Sequence, residues 1–256
     1  MAFDPALPPG LLRLAYDAAD AIMAIYAAPF ETRAKDDRSP VTDADEAAEA
    51  VILAGLAKLT PSIPVVAEEA AARGEIPAVA GQSFWLVDPV DGTREFIKRN
   101  GEFTVNIALI EQGVPVLGVV LTPVDGLAYL GMPQGARRYR GRADAVGEAI
   151  AARHVPAEGA VAMTSRSHPE AEAEAWLAGN RIAARMEAGS SLKFCRIAEG
   201  VADLYPRFAH INEWDTAAGQ AVLEAAGGSV RDLQGRPLRY GKPGFKNPSF
   251  IARGTD

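Results

Sequence analysis

The stretch "FWLVDPVDGTREFI", residues 84–97, places an apolar run directly against two acids. Phe84 to Val87 read as an interior strand, which then meets Asp88 and Asp91, like charges three positions apart. Pro89 has no N–H with which to continue a ladder, so the strand is expected to end at Asp88 and the chain to turn there. Asp91 then falls at the start of a new helix, with the Gly92 and Thr93 amides free to hold a phosphate. Carboxylates brought together where a buried strand emerges repel one another unless a cation lies between them or one keeps its proton. Oxygen-only ligation of this kind suits Mg²⁺. A plainer alternative stands beside that reading, in which Asp88 merely ends a strand and Asp91 merely caps a helix.

The flanking patterns predict the scaffold. Residues 9–28 carry Leu11, Leu12, Leu14, Ala18, Ile22, Ile25 and Tyr26 at helical spacing behind prolines suited to a helix start. A polar loop containing "KDDRSP" leads to "TDADEAAEAVILAGLAKL", a second helix stopped by "TPSIP". "VVAEEA", residues 65–70, predicts a short buried strand ending in paired acids, and residues 71–83 a loop. "FTVNIALIEQGVPVLGVVLTPVDGLAYLGM" predicts three strands with turns at Gln112-Gly113 and Asp125-Gly126. Strand followed by helix then recurs in "GAVAMTSRSHPEAEAEAWLAG" and in "MEAGSSLKFCRIAEGVADLYP", and "DTAAGQAVLEAAGG" predicts a last helix ending at glycine. Mixed elements with an antiparallel middle predict an α/β protein, a layered α+β sandwich of alternating helix and sheet layers, not a doubly wound sheet. A gentle change of composition near residues 143–158 predicts an N-terminal lobe over 1–150 and a C-terminal lobe over 151–256.

Composition narrows the function classes. The chain has 256 residues, 48% of them hydrophobic, enough for one large domain or two lobes sharing a core. A formal net charge of −7, without any block of five or more Lys/Arg, argues against a nucleic-acid groove or a polybasic membrane patch. A small anionic substrate needs only a few local cations and a metal. "MAFDPALPPGLL" has no basic region leading into an apolar core, and no window of 18 apolar residues free of charge occurs, so neither a signal peptide nor a membrane span is expected. Cys195 is the lone cysteine, so an intrachain disulfide is impossible and a reducing cytoplasm is the natural compartment. Within "SLKFCRIAEG" it is expected to be a small buried hydrophobe.

Two further acidic clusters join the first. Glu68 and Glu69 close the strand "PVVA", and "NEWDTAAG" sets Asp215 beside Trp214 at the start of a helix. An exposed loop would explain the glutamates, and an N-cap would explain Asp215. Three separate junctions ending in carboxylates are nevertheless what a multi-metal phosphatase site needs, since ions about 4 Å apart can activate water and neutralise the leaving oxygen together.

"DPVDGT", with "EE" upstream and "WDTAAG" downstream, resembles the lithium-sensitive, magnesium-dependent phosphatase superfamily of inositol monophosphatase and fructose-1,6-bisphosphatase. The longer strings "SPVTDAD", "WLVDPVDGTREFIKRNGEFTVNIALI", "SRSH", "GSSLKFC", "AEGVADLYPRF" and "WDTAAG" resemble its bacterial 3′(2′),5′-bisphosphate nucleotidase branch, nearly end to end. The resemblance implies the sugar-phosphatase fold of that superfamily, two or three Mg²⁺ per site, and hydrolysis of adenosine 3′,5′-bisphosphate to AMP and phosphate in the setting of sulfate assimilation. Residue by residue, it implies Glu68, Asp88 and the Val90 carbonyl on a first Mg²⁺, and Asp88, Asp91 and Asp215 on a second. The Gly92 and Thr93 amides would hold the scissile phosphate. Asp45 matches the residue that hydrogen-bonds the Thr93 hydroxyl to position the attacking water, so that Asp45, Thr93 and Glu68 form the catalytic set and no covalent enzyme intermediate arises. Thr42-x-x-Asp45 also reads as a helix capping box.

Recognition of the rest of the substrate falls, by family position or by charge, to Ser165 and His168 of "SRSH", Ser190 and Lys193 of "GSSLK", and Arg207 of "YPRF". They join Glu68, Val90, Asp91, Gly92, Thr93 and Asp215 as expected substrate contacts, with Lys193 the leading choice for the unreacted phosphate. His154 and His210 attract no assignment. Ala67 and Ala70 flank the glutamates where relatives carry Ser, and Asp or another polar residue, and Asp43 is an additional acid beside Asp45. The expected partner is a small bisphosphate nucleotide and not a nucleic acid. Monomer and homodimer stay open, as do a free cytoplasmic enzyme and one resting on the inner face of the membrane. Three alternatives remain: an inositol- or sugar-phosphate hydrolase on the same scaffold, a metal- or nucleotide-binding module without turnover, and a haloacid-dehalogenase-type phosphatase. The last is disfavoured by the two residues between its aspartates and by the motif's late position.

Overall fold

Proline in the first turn and apolar residues at helical spacing make helix α1 (Leu7–Tyr26) one-sided, with Leu11, Leu14, Ala15, Ala18, Ala19 and Ile22 buried. In the computed structural model, which describes residues 6–34, 40–143 and 146–255, this face packs against helix α2 (Asp43–Leu59) and one side of a large sheet. Contact between the two helices is close at Gly55, where an added Cβ would stand 2.3 Å from Leu14 Cδ1. Strands β1 (Thr32–Ala34) and β2 (Pro40–Thr42) form a short antiparallel ladder ahead of α2. The predicted "KDDRSP" loop falls, through residues 35–39, outside the described residues, as do residues 144 and 145 in the predicted change of composition.

The large sheet runs in chain order: β3 (Val65–Ala67), β4 (Phe84–Asp91), β5 (Thr104–Glu111), β6 (Val114–Thr122), β7 (Leu127–Met132), β8 (Gly135–Arg140) and β9 (Glu148–Ile150). Only β3 and β4 are parallel. Gln112 and Gly113 have φ of 51° and 74°, the left-handed pair that a tight turn between β5 and β6 requires. The sheet continues two strands beyond the three expected, because "GARRYR" and "EAI" pair at its edge with polar and exposed positions that break the apolar signal.

Side chains alternate across the sheet. Trp85, Val87, Val105, Ile107, Val119 and Leu121 face α1 and α2, whereas Phe84, Leu86, Ala108, Ile110 and Val120 join a second core. That second core is closed by α6 (Leu192–Ala198) and α7 (Ala217–Ala225). Gly118 and Gly131 admit α7, since a Cβ on either would meet it at 2.7 and 2.4 Å.

Beyond these helices lies a second sheet in the order β11 (Ile182–Ala188), β10 (Ala160–Ser165), β12 (Leu204–Arg207), β16 (Phe250–Arg253) and β14 (Ser229–Asp232). Helix α5 (Ala171–Ala178) packs on it through Leu177 and Trp176, in a small separate core with Ala160, Ala162 and Leu204. Strands β13 (Ile211–Asn212) and β15 (Lys246–Asn247) pair by themselves. The resulting order of layers is helices, sheet, helices, sheet, helix, as the mixed pattern predicts.

Three junctions differ in detail from expectation. β4 does not stop at Asp88 but continues to Asp91, and Pro89 lies in an irregularity where the Asp88–Asn106 pairing gives way to Asp91–Thr104. The three-residue step on one strand against two on the other is a bulge, and β3 pairs only as far as Val87, so proline interrupts less than it would between two partners. Strand β3 ends at Ala67, and Glu68 opens a short helix α3 (Glu68–Ala72) instead of extending the strand. Helix α4 (Thr93–Ile97) has only five residues and begins after Gly92, whose φ is 94°, so the expected phosphate cradle is a left-handed turn with little helix dipole behind it.

Candidate active site

The bulge in β4, the start of α3 and the loop before α7 bring four carboxylates together. Asp88 is buried, its Oδ1 accepts from the Val90 N–H at 3.0 Å, and its carboxyl is hydrogen-bonded to that of Glu68. Glu68 is held at the head of α3, where the next amide, Glu69 N–H, donates to Glu49 Oε2 at 2.7 Å. Asp91 accepts from Ser191 N–H at 2.5 Å and from Asn106 Nδ2 at 3.3 Å, both on Oδ2. Asp215 Oδ2 accepts from Asn212 N–H at 3.0 Å, in a loop whose buried Glu213 takes the Gly241 and Lys242 amides at 2.6 and 3.1 Å.

Electrostatics follow from this crowding. Burial first, and then the charges of Glu68, Asp91 and Asp215, hold the Asp88 carboxyl well above the usual carboxylate range. Burial and the same neighbours do likewise to Asp215, with Asp91 its strongest repeller. Asp91 is pushed up to about 6 by burial, against the opposing pull of Lys193 and the Ser191 N–H. Among the described residues no three His, Cys, Asp or Glu side chains are drawn in tightly enough to hold a metal ion as they stand. The donor set still fits one: all four groups offer hard oxygen, and a dication would offset the burial and crowding that raise the Asp88, Asp91 and Asp215 carboxyls.

Asp45 and Thr93 meet across the junction. Thr93 Oγ1 lies 3.2 Å from Asp45 Oδ1 and 3.3 Å from the Val90 carbonyl oxygen. Asp45 Oδ2 accepts from the Thr42 N–H and hydroxyl at 2.8 and 2.7 Å, while Ala44 N–H donates to Thr42 Oγ1 at 3.2 Å. The capping box and the contact with Thr93 therefore coexist, one on each carboxylate oxygen, and burial of Asp45 fixes both.

A cavity of about 230 Å³ opens beside these groups. Glu68, Asp91, Gly92, Thr93, Glu95 and Asp215 line it, together with Ser165, His168, Ser190, Lys193 and Arg207. Asp45, Asp88 and Val90 are not among its lining residues. Lys193 is buried, and its Nζ donates to the carbonyls of Ala188 at 3.2 Å and Ser190 at 2.6 Å, 5.1 Å above the Tyr205 ring. Burial lowers its pKa to about 8, against the pull of Asp91. Arg207 is buried too, with Nη1 2.5 Å from Glu170 Oε1, and its Nε–H has no hydrogen-bond partner among the described residues. Glu170 in turn accepts the Phe208 and Ala209 amides, each at 2.7 Å.

The remaining singled-out residues lie elsewhere. Asp43 is exposed and forms a surface pair with Arg33 at 2.7 Å. His154 bridges to Thr255, and His210 Nδ1 lies 2.9 Å from the Asn247 carbonyl. Cys195 is fully buried, as its apolar setting predicts. Sequence reasoning passed over Asn106, Ser191, Tyr205, Glu49 and Glu95. A signal was present for Asn106, the one amide in the apolar run "FTVNIALI" and the direct partner of Asp88 across the sheet. Tyr205 and Glu95, a lining tyrosine and a buried acid hydrogen-bonded by Ser167, carry no local mark of their role.

A family model described as the inositol monophosphatase family matches residues 10–253. The 3′(2′),5′-bisphosphate nucleotidase CysQ of Escherichia coli strain K12 is 47% identical over 241 residues, covering 93% of this chain and 96% of its own. The protein of the same name from Salmonella typhimurium strain LT2 is 49% identical over 241 residues, with the same shares of 93% and 96%. Among solved structures, CysQ from Bacteroides thetaiotaomicron superposes with a TM-score of 0.82 at 36% identity, over 100% of both chains.

Proposed function

The chain belongs to the inositol monophosphatase family, and on that footing we propose that it is a 3′(2′),5′-bisphosphate nucleotidase, converting adenosine 3′,5′-bisphosphate to AMP and phosphate with two or three Mg²⁺ per site. The observation that carries the reading is one cavity lined both by carboxylates, Glu68, Asp91 and Asp215, and by two buried cations, Lys193 and Arg207. A phosphomonoester without a second anionic group would leave those cations unused. A bisphosphate nucleotide brings a second phosphate to meet that positive charge.

Glu68, Asp88, the Val90 carbonyl, Asp91 and Asp215 are the ligands for Mg²⁺, which when bound supplies a Lewis acid for phosphoryl oxygens and an acidified water. The Gly92 and Thr93 amides orient the transferring phosphoryl group. Thr93 accepts a hydrogen bond from the attacking water and passes its own to Asp45 Oδ1, 3.2 Å away, so the water's lone pair is aimed at phosphorus. Asp45 keeps its orientation through that step because Thr42 holds the other oxygen. Lys193 holds the phosphate that is not cleaved. Arg207, with Ser165, Ser190 and His168, lines the space for the nucleoside. The Lys193 charge is retained near neutral pH, where its pKa of about 8 leaves most of the population protonated.

Such an enzyme clears the nucleotide left when its sulfated analogue is used in sulfate assimilation, and the cytoplasm is its proposed place. Among the described residues no helix is long and apolar enough to cross a membrane. The test is a phosphate-release panel with Mg²⁺, comparing adenosine 3′,5′-bisphosphate with inositol 1-phosphate and fructose 1,6-bisphosphate. Preferred turnover of the nucleotide supports the reading, and preferred turnover of either sugar phosphate replaces it.

A further inference from the structure

We propose that Ser191 is a positioning residue that couples the Lys193 turn to Asp91, so that filling the cation site tightens the hold on the phosphate that is not cleaved. The inference rests on the nucleotidase reading above.

A one-way chain of hydrogen bonds carries it. Ser191 Oγ lies 2.6 Å from Asn106 Oδ1, which is only an acceptor, so the serine hydroxyl donates to it. The Thr104 hydroxyl, 2.8 Å from Ser191 Oγ, must then be the donor to serine. With its oxygen so engaged, Asn106 turns its amide N–H toward Asp91 Oδ2, where the Ser191 backbone N–H also arrives. Thr104, Asn106 and Ser191 are at most 1% exposed, so no solvent competes for the bonds among these three. Two donors on Oδ2 leave Oδ1 of Asp91 for a cation.

Ser191 is also part of the phosphate-gripping turn. It follows Ser190, which has a φ of 49° and whose carbonyl accepts from Lys193 Nζ at 2.6 Å. The other end of the turn is fixed as well, because Gly189 N–H donates to Glu102 Oε2 at 2.8 Å. A Cβ at Gly189 would lie 2.6 Å from the Glu102 carbonyl oxygen, so this end has no room to drift. A shift of Asp91 is thus passed through the Ser191 N–H, and through Asn106 to the Ser191 hydroxyl, to the backbone that presents Lys193. A bound cation that settles Asp91 lowers the ordering cost of the second phosphate, which is positive coupling between two ligands.

The probe is adenosine 5′-monophosphate, the product that keeps the unreacted phosphate, titrated calorimetrically with and without saturating Mg²⁺. In the natural protein Mg²⁺ is expected to raise its affinity by about tenfold, within the usual range of allosteric coupling. In Ser191→Ala the factor should fall to about threefold or less, while Ser191→Thr, which keeps the hydroxyl, retains it. Thr104→Val, which removes the upstream donor at nearly constant volume, should reduce the factor in the same direction and serves as the test should Ser191→Ala fail to fold. An undiminished factor in Ser191→Ala, or in Thr104→Val where that variant serves, overturns the proposal. So does a loss in Ser191→Thr equal to that in Ser191→Ala, which would mean that space and not the hydroxyl matters. The two readings fail separately: a natural protein that turns over no bisphosphate nucleotide removes the function, whereas one that does so with unaltered coupling in the variants removes only this inference.

Discussion

The acidic and the basic groups of the cavity are held in opposite ways. On the acidic side, Glu68, Asp88, Asp91 and Asp215 crowd one another, and burial lifts the carboxyl groups of the three aspartates. On the basic side each cation already has acceptors: two backbone carbonyls for Lys193 and the Glu170 carboxylate for Arg207. The acidic groups are frustrated, whereas the basic ones are satisfied apart from the Arg207 Nε–H. Frustration in a buried cluster marks a place where a ligand of opposite charge completes the structure. A satisfied cation, by contrast, can be rigid before the substrate arrives, which reduces the ordering cost of binding.

The largest expected effect comes from breaking the acidic side. Asp91→Asn keeps volume and removes one charge, and turnover should fall by roughly 10²–10³-fold or more, the scale of losing a preorganised electrostatic contact in the transition state. Steady-state phosphate release at ordinary Mg²⁺ checks it, and near-normal rates in the variant would mean that Asp91 is only structural. Next in size is Thr93→Val, which leaves the carboxylates in place and interrupts the link to Asp45. A loss of about 10²-fold in kcat with little change in KM is expected, since the group acts on the attacking water.

Breaking the basic side should be selective instead of general. Lys193→Ala is expected to cost about ten- to a hundredfold in kcat/KM for the bisphosphate nucleotide, the value of a charge-assisted contact, and little for a slow monophosphate substrate. Equal losses on both substrates would merge the two sides into one.

The same contrast separates what the sequence made legible from what it did not. Glu68 and Asp88 follow apolar runs and Asp91 and Asp215 stand at expected helix starts, so the pattern marked them as candidates, and the family resemblance rather than the pattern alone assigned their roles. The layered fold was legible for a similar reason, because buried strands and one-sided helices alternate with distinct periods. Pro89 misled the boundary of β4, since a bulge beside an open strand edge tolerates a residue that a regular ladder would reject. The basic side depends on tertiary closure. Family position, charge and the Gly-Ser-Ser turn singled out Lys193 and Arg207, but the burial and partners of Lys193 come only from Tyr205, Ala188 and Ser190, and those of Arg207 from Glu170 on a different segment. Ser191 and Asn106 lie 85 residues apart, and no local pattern announces their bond.

The smallest expected effect is on stability without metal. The Asp91 carboxyl is raised from 3.8 to about 6 in the folded chain, so the folded state binds more protons than the unfolded one between those values. Its contribution is therefore fully favourable below about pH 4 and is lost as pH rises through about 6. Metal-free Asp91→Asn should melt a few degrees above the natural protein at pH 7, with the gain vanishing near pH 4, and Mg²⁺ should reverse the order at pH 7 by stabilising only the natural protein. No dependence on pH would mean that the acidic side is relaxed already.

The frustration itself is most directly measured by the protons released when Mg²⁺ binds. Titrating Mg²⁺ at pH 6 in two buffers of different ionisation enthalpy counts those protons calorimetrically. The natural protein should release protons on binding at pH 6, should release fewer at pH 8, and should release fewer at pH 6 when Asp91 is replaced by Asn. Binding with no release at pH 6 would show that the carboxylates are already ionised and at ease, and the contrast between the acidic and the basic groups would be wrong.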